Sequence, residues 1–118
     1  MSITTSARPV DLAHLAHYTG GDQALDAEIL KLFVGQSEQL IAKLRIQLEK
    51  ADLKGWHETN HSLKGAARGV GAFALADAAE AAERLNPAID IRDAAHAIDD
   101  LRSQATAVKL FVEGWLKP

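Results

Sequence analysis

An all-α fold, an up-down antiparallel four-helix bundle with a short extra N-terminal helix, is what this chain of 118 residues predicts. Three observations carry that expectation. Apolar residues recur at steps of three and four along most of the length. Sustained polar–apolar alternation of strand type and Asn-Gly hairpin signals are missing from the sequence. The links between periodic stretches are short, which makes neighbouring helices antiparallel.

The elements follow in order. Residues 1–8 are small and polar and read as a loose tail before a single domain over 9–118. Pro9 to Tyr18 reads as a short helix with Val10, Leu12 or Ala13, Leu15 and Ala16 inward, ended by Thr19-Gly20-Gly21. Asp22 is a good N-cap for a long second helix to about Lys50, where Leu25, Ile29, Leu32, Phe33, Leu40, Leu44 and Leu48 keep helical spacing. Gly35-Gln36-Ser37 interrupts that stripe and predicts a kink or local exposure. Asp52 caps a third helix that ends near Gly69 to Gly71, where glycine permits positive φ. A fourth runs from about Ala72 to Leu85 and is stopped by Asn86-Pro87. Its alanines offer little bulk, so it can lie close to the third helix and meet Ala66, Ala67 and Val70. Asp90 caps a fifth helix, with Asp93 at its third position. Ala94, Ile98, Leu101, Ala105, Val108, Val112 and Trp115 then form a bundle seam.

Composition narrows the function. A chain of this length forms one domain and buries roughly two thirds of the surface its unfolded form exposes. Apolar residues make up 47%, enough for a packed core. A net charge of −3 gives no basic footprint for nucleic acid. The absence of cysteine excludes disulfides and thiolate metal sites. The first nine residues lack an apolar signal segment, and no run of eighteen apolar residues could span a membrane. The expectation is a soluble, cytoplasmic, monomeric module.

The most informative stretch is His61-Ser62-Leu63-Lys64-Gly65-Ala66-Ala67-Arg68-Gly69-Val70-Gly71. With His61 at 0° and about 100° per residue, Lys54 falls near +20°, His57 near −40°, Lys64 near −60°, Gly65 near +40° and Arg68 near −20°. Trp56, Leu63, Ala66 and Val70 fall on the opposite side. His61 should therefore look outward among cations, beside a residue with no side chain. Such a surface suits a phosphoryl group held while another protein approaches. Glycine inside a helix costs about 1 kcal/mol relative to alanine, and Gly65 points away from the apolar stripe. A close approach by another backbone accounts for it better than helix packing does.

This run resembles the signature of histidine-containing phosphotransfer (HPt) domains, His-x-Leu-Lys-Gly-(Ala/Ser)-(Ala/Ser) with a glycine a few residues on. The match is carried by His61, Leu63, Lys64, Gly65, Ala66, Ala67 and Gly71-Ala72. A weaker likeness extends over the amphipathic helix ending Leu40-Ile41-Ala42-Lys43-Leu44, the Ala51-Asp52 link and the Ala-rich helix with Leu75. The resemblance implies a helical bundle in which His61 is the phosphorylated residue, on its outer ring nitrogen, and Lys64 stabilises the phosphoryl group. On the next helix, where some family members have a glutamine that contacts the phosphoryl group, this chain has Glu83 and Arg84. Glu83 would repel the phosphate if it pointed that way.

The chemistry is coherent with that role. Free histidine titrates near 6.5, so an exposed ring is mostly neutral and nucleophilic at pH 7. Its nitrogen can attack an aspartyl phosphate on a partner and later return the group. Phosphorylation adds roughly −1.5 to −2 charges. An ammonium about 4 Å from one such charge gains on the order of 1–4 kcal/mol, and Lys64 sits one turn away. Arg68 and Lys54, further along the same face, steer an acidic partner, and His57 and Gly65 complete the partner-binding patch. The implied partners are response-regulator receiver domains and a hybrid histidine kinase. No cofactor is needed in the chain, because Mg²⁺ would sit in the receiver's acidic pocket. Nothing in the sequence could bind ATP, so no kinase activity of its own is expected. The nearest alternative is the phosphoacceptor domain of a chemotaxis-type kinase.

His57-Glu58-Thr59-Asn60-His61 also fits H-E-x-x-H, the zinc peptidase pattern, with Glu80 as a third ligand in sequence. That reading needs a sheet edge for substrate and is opposed by Lys64 and Arg68, which repel a dication. A non-phosphorylated adaptor bundle is a further alternative. His14 and His17 read as a plain surface pair, His96 as part of a solvated acidic face, and Trp56 and Trp115 as core or rim residues. Gly69-Val70-Gly71 follows no strand and is not a nucleotide loop.

Overall fold

Side-chain caps decide where three of the helices begin. A computed structural model describes residues 8–116, so the tail expected over 1–8 lies outside the described residues except for Arg8. Asp11, Asp22 and Asp52 accept from the backbone N–H groups of His14, Leu25 and Gly55, opening α1 (Leu12–Thr19), α2 (Gln23–Glu49) and α3 (Leu53–Val70). Each carboxylate satisfies a donor that has no partner within its own helix. α4 (Phe73–Glu83) and α5 (Ile91–Leu116) complete the set. No strand occurs among the described residues.

α2, α3, α4 and α5 pack in a ring, α2 on α3, α3 on α4, α4 on α5 and α5 back on α2, while α1 rests on α2 and α3. The Asp11 N–H donates to the Gly71 carbonyl at 2.9 Å, which fastens the start of α1 to the end of α3. Gly71 has φ +84°, and a Cβ there would lie 2.7 Å from the Asp11 carbonyl oxygen, so this junction requires glycine twice over.

The α5 seam is as the periodicity predicts, with Ala94, Ile98, Leu101, Ala105, Val108 and Val112 buried and Trp115 half-buried. α2 departs from expectation. Its inward face is Asp26, Leu30, Phe33, Ser37, Ile41, Leu44 and Gln47, and Leu32 is 72% exposed. No break occurs at Gly35-Gln36-Ser37. Ser37 is buried and donates its hydroxyl to the Val34 carbonyl at 2.9 Å, so it is satisfied inside its own helix and the ladder runs on. Asp90 precedes α5 as expected, but its carboxylate accepts from the Asn86 N–H at 2.9 Å and closes the α4–α5 loop. α4 ends at Glu83, ahead of the expected Leu85.

Candidate functional site

The site is made where α3 and α4 meet, the most extensively packed pair of helices. Ala76, Ala79 and Ala82 put methyl groups beside Leu75 on the buried face of α4, so the two helices pack closely. On α3, Trp56, Leu63 and Val70 turn inward as the helical wheel predicts, but Ala67 is the fully buried alanine and Ala66 only half-buried. His61 is left on the outer face with 67% of its side chain exposed.

Close packing of the two helices brings Glu83, the last residue of α4, onto that face, with 10% of its side chain exposed. Its Oε1 accepts from Lys64 Nζ at 2.7 Å. Its Oε2 lies 3.1 Å from His61 Nδ1 and 3.2 Å from His57 Nε2. The two imidazole planes are nearly parallel, 11° apart, with ring centroids separated by 6.5 Å. The hydrogen bond from Lys64 holds the Glu83 carboxyl below the usual carboxylate range; burial works against it and the bond from His61 adds to it. An ionised carboxylate therefore faces both rings at neutral pH. A neutral His61 that donates Nδ1–H to it keeps its lone pair on Nε2, the nitrogen away from Glu83.

The remaining predicted residues divide. Lys64 joins the centre, only 16% exposed and engaged with Glu83. His57 joins it too, through the same oxygen as His61. Arg68 does not stand free as a steering charge: its guanidinium pairs with Glu80 at 2.9 Å, and Arg84 lies 3.6 Å from the other Glu80 oxygen. Lys54 is exposed. Gly65 is exposed as well, and a Cβ there would meet no atom within 4 Å. Helix packing therefore does not explain this glycine. Gly69, one turn on, is equally open, so bare backbone flanks His61 on that side.

Glu83 is the residue sequence reasoning undervalued. It does point to the site, the condition under which repulsion of a phosphate is expected, and there it is the acceptor that Lys64, His57 and His61 share. The available signal was its place on the next helix, in the neighbourhood where some HPt domains have glutamine. The H-E-x-x-H pattern puts His57 and His61 one turn apart on α3. Glu80, its third ligand in sequence, is tied to Arg68 and Arg84, and among the described residues no three His, Asp or Glu side chains are arranged to hold a metal ion. His14 is not a plain surface residue, since its ring packs edge-on to Phe73 with centroids 5.1 Å apart. His96 is exposed, and Trp56 belongs to the core.

Fold and site together define a helical-bundle protein that presents two exposed imidazoles over one carboxylate held by a lysine. The family model described as the Hpt domain matches residues 28–111. The chain therefore belongs to the Hpt-domain family, the histidine phosphotransfer carriers of two-component phosphorelays. Among solved structures, histidine-containing phosphotransfer protein B (HptB) from Pseudomonas aeruginosa PAO1 superposes with a TM-score of 0.81 at 23% sequence identity, over 92% of this chain and 94% of that one. That likeness is one of fold. No curated protein matches the sequence. Among the described residues no helix is long and apolar enough to cross a membrane.

Proposed function

We propose that His61 is the phosphoacceptor, that its Nε2 takes the phosphoryl group from an aspartyl phosphate of one receiver domain, and that the group then passes to another receiver. The observation that carries this reading is the pairing of an exposed His61 ring with Glu83 at Nδ1. That pairing favours the tautomer that leaves Nε2 as the nucleophile. In the transfer, Nε2 bonds to phosphorus as the P–O bond to the receiver's aspartate breaks, and the electron pair leaves on the carboxylate oxygen. Lys64 then turns from Glu83 towards the phosphoryl oxygens, which carry more negative charge than the carboxylate alone. Gly65 leaves room for the partner's backbone beside the ring, with His57, Lys54 and Arg68 around it.

The side chains at His61 do not suit Mg²⁺, since their one carboxylate is occupied by a lysine and two imidazoles. In this reading the ion belongs to the receiver's acidic pocket. The chain acts as a cytoplasmic monomer without kinase activity of its own, fed by a hybrid kinase, and its complexes are transient. Incubation with labelled phospho-receivers tests the reading. Acid-labile, base-stable label on His61 is expected. Labelling only by a kinase core would favour the chemotaxis-type alternative, and no label at His61 would overturn both.

A further inference from the structure

We propose that His57 is a positioning residue for phosphoryl transfer at His61, acting through the single carboxylate oxygen that both imidazoles face. The inference rests on His61 being the phosphoacceptor, and its test separates the two ideas.

Glu83 Oε2 lies 3.2 Å from His57 Nε2 and 3.1 Å from His61 Nδ1, while Oε1 is taken by Lys64 at 2.7 Å. One negative charge thus serves one permanent cation and two rings that can each become cationic. Protonating either ring strengthens its claim on Oε2 and places a positive charge beside the other, so each proton resists the next. The other charged groups nearby do not relieve this competition. On α4, Glu80 is held by Arg68 and Arg84. On α3, Lys54 and Glu58 are exposed one turn before and one residue after His57. In the α4–α5 loop, Asp90 is occupied by the Asn86 N–H. Glu83 alone contacts both rings.

The consequence appears once His61 carries a phosphoryl group on Nε2. For the group to leave, the P–N bond breaks and its electron pair returns to Nε2. Phosphorus bonds to a carboxylate oxygen of the receiver's aspartate, or to water in hydrolysis. The ring departs as neutral imidazole when Nδ1 holds a proton, and as a far poorer leaving anion when it does not. Glu83 favours that Nδ1 proton. A proton on His57 draws Oε2 away and disfavours it. His57 therefore sets the pH range in which phospho-His61 becomes ready to give up its group, and it lengthens the lifetime of the phosphorylated carrier on the acid side.

Nitrogen-15 NMR titration of the unphosphorylated full chain tests the coupling without any assumption about function. In the wild type the two rings should titrate over broadened, mutually displaced curves. In His57→Gln, His61 should titrate as a single curve at higher pH. Independent curves in the wild type, or a His61 curve unmoved in His57→Gln, would overturn the proposal and leave phosphate acceptance untouched. The lifetime of phospho-His61 is then followed against pH in wild type, His57→Gln and His57→Lys, with circular dichroism to verify that each is folded. On the acid side of neutral the glutamine variant should lose its group roughly three-fold faster than wild type, and the lysine variant, a permanent cation, should lose it more slowly than wild type near neutral pH. Superimposable profiles in all three would overturn the proposal. Absence of label at His61 would overturn the phosphoacceptor reading instead, whatever the titration curves show.

Discussion

The indole N–H of Trp56 donates to the carbonyl oxygen of Ala82 at 2.8 Å, deep between α3 and α4. Trp56 is fully buried and so is Ala82, so the bond lies out of water and joins α3 to the residue immediately before Glu83. The carboxylate that organises the site is thereby anchored from inside the core.

Trp56→Phe should uncouple that anchor. The Ala82 carbonyl would lose its indole donor and keep the Leu85 N–H at 3.1 Å, at a cost of about 0.5–1.5 kcal/mol beyond the lost volume. Urea denaturation should register the loss, and phosphoryl acceptance should fall together with stability. Unchanged stability would mean that the bond contributes nothing.

His61→Gln should abolish phosphoryl acceptance while the helical circular dichroism signal stays as in the wild type, because the side chain is exposed and supports no core contact. Residual labelling at wild-type level would relocate the acceptor.

Lys64→Ala removes the donor that holds Glu83 and, in the proposed reading, the counter-charge for the phosphoryl group. Transfer should slow, or phosphohistidine lifetime shorten, by several-fold; identical single-turnover kinetics would strip Lys64 of that role.

Gly65→Gln should separate docking from folding. Glutamine is the better helix former by about 0.5–1 kcal/mol and finds open space at this position, so the thermal midpoint should hold or rise slightly. Receiver binding, measured by calorimetry, should weaken sharply because the new side chain occupies the bare backbone beside His61.

Glu83→Gln addresses the pH dependence. The wild-type carboxyl is held low, chiefly by Lys64, so its contribution to stability is complete above the ordinary glutamate range. It is lost as pH falls through the lowered folded value. Denaturation midpoints of the variant should therefore decline less steeply with acid than those of the wild type. Parallel declines would show that the pairing with Lys64 does not stabilise the fold.

Much of this was legible from residues alone, and the exceptions have physical causes. α5 could be read because its buried positions are all apolar and evenly spaced, with Ala94, Ile98, Leu101, Ala105, Val108 and Val112 on one side. α2 misled because apolar residues lie on two faces. Leu25 and Leu32 spell one stripe, yet Leu30, Phe33, Ile41 and Leu44 turn inward with Asp26, Ser37 and Gln47 among them. Only packing against α3 and α5 selects between the two. At the site, His61, Lys64 and Gly65 share one local helical pattern and could be assembled by geometry. Glu83 could not, since it comes from 22 residues away and its register is set by alanines that carry no distinguishing mark.

His61 lies near the middle of an unbroken helix of 18 residues rather than on a loop. A group added there finds rigid rods on either side and no hinge to move. In the proposed reading, the signal is written there in one covalent bond and the charge it brings. A partner would then learn the carrier's state by touching the α3 face that holds His61.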